Sequence, residues 1–159
     1  MKKTAIIGIG NSLRKDDSLG LVLLEKLKEK KTELPEGMEF IEGGLGGMVL
    51  LHYLADFDIA YIIDAVDFSG EPGELRFFEK DDVVSKKVKI SFSTHEDDFL
   101  KVVKLSEELN EIPEKIYIFG IQPKDMGLGC DLSPAIEGSI DENLKKIIDK
   151  INSLKEKEQ

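Results

Sequence analysis

Between an apolar run and an amphipathic one lies Gly8-Ile9-Gly10-Asn11, followed closely by Asp16-Asp17-Ser18-Leu19-Gly20, and this placement constrains the fold more than any other feature. Residues 4–9 are apolar over the length of a buried strand. Residues 19–31 carry Leu19, Leu23 and Leu27 along one side and charges along the other, which predicts a helix. Strand, glycine-bearing turn and helix make the first half of a βαβ unit. Such units build parallel sheets, and ligands sit in the crevice beyond the carboxyl ends of the strands. Two adjacent carboxylates at the helix head set this turn apart from a phosphate loop, where negative charge would repel the ligand.

The remainder alternates in the same manner. A turn at residues 34–37 precedes a short strand at 38–41, which ends in Glu42-Gly43-Gly44-Leu45-Gly46-Gly47, a loop in which backbone can approach a ligand closely. A short helix is predicted over 48–55. Residues 59–63 are nearly all apolar, as a central parallel strand requires, and stop at Asp64. Extended segments are predicted at 74–79, 88–92 and 115–121, with a helical turn at 81–85. A helix starts near Ser93-Thr94-His95-Glu96-Asp97, with Thr94 as cap and Phe99, Val102, Val103 and Leu109 facing inward. After Ser133-Pro134, a last helix carries a stripe from Ile136 through Ile140, Leu144, Ile147 and Ile148 to Ile151. The expected architecture is an α/β fold, a three-layer α/β/α sandwich around a twisted, mostly parallel sheet of about five strands.

A chain of 159 residues suits one domain, here 1–154, with 155–159 a short charged tail expected to fray. No apolar run approaches the roughly 20 residues of a membrane-spanning helix, and the first predicted strand begins too early to leave room for a secretion signal. The single cysteine, Cys130, has no internal partner, which favours a reducing, cytoplasmic location. A net charge of −10 argues against nucleic acid or an anionic membrane as partner and suits a basic peptide or a cation. The chain is expected to be a monomer.

Asp17 follows the first strand, Asp64 follows the third and His95 precedes a later helix, so a parallel sheet would bring all three to one edge. Two carboxylates and an imidazole make a plausible first shell for nickel, zinc, cobalt or manganese. Gathering Asp16, Asp17, Asp64 and Asp67 there would raise carboxylate pKa values by repulsion unless a cation lay among them. Each residue also has a plainer reading. Asp16 or Asp17 suits a helix cap, Asp64 a strand-end carboxylate bonding loop amides, and His95 an exposed first-turn residue. His52 reads as structural, and Cys130 as neither ligand nor nucleophile. A dinucleotide fold is a rival for the opening motif, with Glu42 as the ribose acid, but Leu13 replaces its third glycine and Asp16-Asp17 would repel a pyrophosphate.

Taken in order, these pieces resemble the hydrogenase maturation proteases over nearly the full length. The resemblance rests on Gly8-x-Gly10-Asn11 leading to Asp16-Asp17-x-x-Gly20, then Glu42-Gly43-Gly44. It continues through Ile63-Asp64-Ala65, Pro72-Gly73-Glu74, Thr94-His95 and Gly120-Ile121-Gln122-Pro123. It implies an endopeptidase that removes the C-terminal extension of a [NiFe] hydrogenase large-subunit precursor after nickel insertion. The metal ligands and catalytic residues implied are Asp17, Asp64 and His95, with one aspartate as a possible general base. Glu42, Gly43 and Gly44 would lie near the substrate. The nickel would be that of the precursor, and zinc or cadmium could occupy the same site. Glu42, Ser18 and Leu45 depart from the family's usual aspartate, glycine and threonine; the last could change substrate preference. A non-catalytic nickel-binding chaperone on the same scaffold is the alternative from another class.

Overall fold

The computed structural model describes residues 1–85, 91–92 and 96–158. Strand β1 (Thr4–Gly8) leads through a 3-10 turn (Lys15–Ser18) into α1 (Leu19–Glu29), and β2 (Met38–Glu42) is followed by α2 (Met48–Ala55). Then come β3 (Ile59–Asp67), β4 (Leu75–Glu79), the short α3 (Lys80–Val84), β5 (Ser91–Phe92) and α4 (Glu96–Glu108). Strand β6 (Lys115–Ile121), α5 (Pro134–Glu137) and α6 (Ile140–Lys157) complete the order.

The sheet runs β2-β1-β3-β6-β4, and β5 pairs with the end of β3. The first four strands are parallel, whereas β4 is antiparallel to β6. The reason lies in the connection. Residues 68–74 between β3 and β4 are too few for the crossover that a parallel return needs, so the chain reverses and takes the far edge.

Alternation along β3 separates two apolar layers. Ala60, Ile62 and Val66 pack with Leu50 and Leu54 of α2 and with Phe99, Val102 and Val103 of α4. Ile59, Tyr61, Ile63 and Ala65 pack with Leu19, Leu23 and Leu27 of α1 and with the α6 stripe. Full burial of each large aliphatic side chain contributes about 1.5–3 kcal/mol before conformational entropy is subtracted. The result is the three-layer arrangement.

Three expectations change. The last helix is two helices, interrupted at Gly138-Ser139, because the turn after β3 docks there: Asn143 Nδ2 donates to the Gly73 carbonyl at 2.9 Å. The charged tail is mostly helical, since α6 runs to Lys157 and Glu158 pairs with Lys115 at 3.4 Å. Leu109 lies beyond the end of α4 and is exposed; Ser106 takes the inner position that continues the stripe of Phe99, Val102 and Val103. The proposed cap Thr94, and residues 88–90 of one predicted extended segment, lie outside the described residues.

Candidate functional site

The carboxyl end of the sheet is shaped by how closely α1 crosses it. At Gly20 any Cβ would strike the carbonyl oxygens of both Ile9 and Ile63, and at Gly8 it would lie 2.6 Å from the Gly20 carbonyl. Helix α1 is thereby pressed at once against the end of β1 and against β3 at Ile63. The residues just before it, the 3-10 turn, come to lie over both. Gly10 continues the contact, because its Cβ space is filled by the Asp17 carbonyl, which also accepts the Asn11 N–H at 3.2 Å.

Asp16 and Asp17 face different surroundings. Asp16 is fully buried and accepts four hydrogen bonds from the loop after β6. These come from the N–H groups of Lys124 (3.0 Å), Asp125 (2.7 Å) and Ser133 (2.7 Å) and from Ser133 Oγ (2.8 Å). Asp16 therefore fastens the 3-10 turn to residues 124–133. Its neighbour Lys15 adds an ion pair to Asp125 at 2.8 Å, which holds the Asp125 carboxyl below its ordinary pKa. Neither aspartate is the residue that precedes α1; Ser18 is, with its hydroxyl turned back to the Lys15 carbonyl at 2.7 Å. Asp17 is buried, and its N–H donates to the Arg14 carbonyl at 2.8 Å.

Asp64 continues β3 beyond Ile63. The strand runs on to Asp67, past the end expected at residue 63, so Asp64 lies within it; the residue is buried, and its Oδ1 accepts the N–H of the next strand residue, Ala65, at 2.8 Å. By strand alternation Asp64 belongs to the face of Ile62 and Val66, the one α4 covers. His95 lies outside the described residues; α4 begins at the next residue. Among the described residues no three His, Cys, Asp or Glu side chains form a group able to hold a metal ion. Asp17 and Asp64 supply anionic oxygen donors beyond the end of β1, a donor set that fits a divalent metal once nitrogen or further ligands join it.

The Glu42 loop stands beside the end of β1. Gly43 donates to the Gly8 carbonyl at 2.8 Å, and Gly10 to the Gly44 carbonyl at 2.9 Å. A side chain at Gly43 would come 2.8 Å from Ile7 Cγ2, so the loop lies flat on β1. Glu42 itself is exposed and shares the face of Met38 and Phe40, toward α1, where it interacts with Glu25 and Lys28.

Gln122 belongs to the Gly120-Ile121-Gln122-Pro123 motif, whose spacing alone gives it no role. It is buried at the end of β6, and its Oε1 accepts the N–H groups of Phe68 (2.9 Å) and Gly70 (3.0 Å). Its Nε2 donates to Asp67 Oδ1 at 3.1 Å. Gln122 thus holds the loop that follows β3. The Ser69 N–H and then the Gln122 amide hold the Asp67 carboxyl below its ordinary pKa. The signal was a polar residue ending an apolar strand, which on its own does not say what it bonds. His52 and Cys130 are both exposed.

The start of α1 is closed off by the buried residues Asp16, Asp17 and Ser18, so it offers no open amide cradle to a pyrophosphate. Fold and site together define an α/β protein with buried carboxylates where a dinucleotide fold would hold its phosphate cradle. Comparison with known proteins makes the class specific. The sequence profile of the hydrogenase maturation protease (HycI) family matches residues 22–150. The hydrogenase expression/formation protein HupD of Rhodobacter capsulatus is 30% identical over 141 residues, spanning 88% of this chain and 67% of that protein. The hydrogenase maturating endopeptidase HybD from E. coli superposes with a TM-score of 0.80 at 25% identity, covering 95% of this chain and 93% of the other. The [NiFe] hydrogenase maturation protease HybD from Thermococcus kodakarensis gives 0.72 at 27% identity, with 94% and 98% covered. The chain belongs to the hydrogenase maturation protease family, a family of endopeptidases.

Proposed function

We propose that this protein cleaves one peptide bond in a [NiFe] hydrogenase large-subunit precursor, releasing its C-terminal extension after nickel has been inserted. The observation that carries this reading is the pair of buried carboxylates beyond the end of β1: Asp17 on the turn that follows it, and Asp64 on β3 one residue past its pairing with β1. Asp64 lies on the face covered by the helix that His95 precedes. The nickel belongs to the precursor and is part of the substrate. Asp17, Asp64 and His95 would share its coordination, and bound there it would polarise the carbonyl of the scissile bond. The same donors suit zinc or cadmium. A carboxylate of the pair takes the proton of the attacking water as oxygen adds to the carbonyl and returns it to the departing amine as the C–N bond breaks, which makes one aspartate the general base and then the acid. The bonded framework of Asp16, Gln122 and Gly43 keeps these groups in place while a protein segment enters. A single cysteine with no internal partner favours a reducing, cytoplasmic setting, and we take the chain to act there as a monomer.

Asp64→Asn and His95→Ala should abolish removal of the precursor's tail, read by intact mass, while the urea unfolding midpoint of each variant stays near that of the parent. Full processing by either variant would overturn the site assignment. Binding of the precursor without any change in its mass, in the parent protein itself, would favour a nickel chaperone.

A further inference from the structure

Seven large apolar side chains are strongly exposed among the described residues, and five of them lie on loops or helix starts at the site's edge: Leu13, Leu45, Met48, Val49 and Leu128. They are between 55% and 77% exposed. Scattered singly, exposed leucines mean nothing; gathered on loops that are bonded to one another, they mark a surface that is covered in use.

The gathering follows from the backbone. Gly129, next to Leu128, donates to the Leu13 carbonyl at 2.9 Å and accepts from Lys15 N–H at 2.9 Å. Three residues before Leu13, Gly10 donates to the carbonyl of Gly44, which adjoins Leu45. Met48 and Val49 open α2 directly after that loop, while their helix neighbours Leu50, Leu51 and Leu54 are buried. The order Leu128, Leu13, Leu45, Met48 and Val49 is thus an arc of three loops fastened to one another. Asp16 fastens the first of them to the turn that carries Asp17. A surface held this firmly loses little freedom on binding.

We propose that this arc is the docking collar for an extended apolar segment of the precursor, lying beside the bond to be cut. The proposal rests on the protease reading above and deepens it. Continuity with the carboxylate site selects the occupant: Leu13 stands four residues before Asp17, and the loop that carries Leu45 is bonded to Gly8 and Gly10 of the segment leading to it. Recognition is by apolar contact, and the carboxylates below are left to the metal and the peptide bond.

The test is the rate of tail removal from nickel-loaded precursor at varied precursor concentration, followed by intact mass. It uses the double variant Leu13→Ser/Leu128→Ser, the double variant Leu45→Ser/Met48→Ser, and the control Leu109→Ser, exposed before the amino end of β6. Each collar variant should raise KM about tenfold or more and retain most of kcat, since apolar anchors contribute binding that is uniform between ground and transition states. The control should match the parent. Collar variants with parental KM would overturn the collar and leave the protease reading intact, as would loss of kcat at unchanged KM. Concentration-dependent dimerisation of the parent, lost in collar variants that keep parental KM, would assign the arc to a second copy instead. Absence of cleavage by the parent would strike the protease reading itself.

Discussion

Replacing Asp16 by alanine would leave the amides of Lys124, Asp125 and Ser133 and the Ser133 hydroxyl without their shared acceptor. Hydrogen bonds to a charged group contribute about 1.5–3 kcal/mol each, and donors stranded in a buried site lose more than neutral ones replaced by water. Asp16→Ala should cost about 3 kcal/mol or more, seen as a lower urea midpoint at unchanged slope. A midpoint within error of the parent would show that the loop finds other partners. Asp67 offers a titration instead. Its carboxyl is held below the ordinary value by the Ser69 N–H and, second, by Gln122. A depressed folded-state pKa contributes stability that is full above the unfolded value and is lost as pH falls through the folded one. Gln122→Ala should move the Asp67 titration, followed by carboxyl-carbon NMR, part of the way back up; the Ser69 contact, being the larger cause, should keep it from returning fully. The paired aspartates also show where reading the sequence stops. The Asp16-Asp17 doublet is plain in the sequence, and the resemblance implies the ligand role for Asp17, but the anchor role of Asp16 depends on residues over a hundred positions away.

Elements are set against each other by close approach. Gly20 is where α1 meets the carbonyls of Ile9 and Ile63, and backbone atoms cannot swing aside as a side-chain end can. Gly20→Ala should cost about 1–3 kcal/mol as an overpacked contact and should impair processing as well, because Asp17 rides on the same crossing. Gly44→Ala is the comparison: nothing lies within 4 Å of its Cβ, and only its φ of 59° is unfavourable, so about 1 kcal/mol is expected. Equal urea midpoints for the two variants would contradict this account of the crossing. The central strands β1, β3 and β6 were legible as continuous apolar runs because both their faces are buried, and α1 and α2 because each buries one face. The break at Gly138-Ser139 was not, since the apolar stripe continues across it and the cause is a turn from elsewhere in the chain. The antiparallel course of β4 follows from a short connection, but its place beside β6, away from β3, is a matter of tertiary packing.

For the whole molecule, a parallel sheet places the ends of distant strands at one edge, and this is why Asp17 and Asp64 could be grouped from the sequence at all. The hydrogen-bonded framework around them was not legible, because Gln122, Asp16 and Gly43 act through partners that sequence spacing does not reveal. The exposed arc was likewise hidden: Leu13, Leu45 and Leu128 look like ordinary loop leucines until their loops are joined. The central claim is that the buried carboxylate pair works with nickel carried by the precursor to cut off the precursor's tail. The most direct measurement is the intact mass of a hydrogenase large-subunit precursor incubated with this protein, nickel-loaded in one sample and nickel-free in the other. The account predicts loss of a C-terminal peptide from the loaded form alone. Trimming of both forms would contradict the role given to nickel, and no trimming of the loaded form of its own precursor would contradict the function itself.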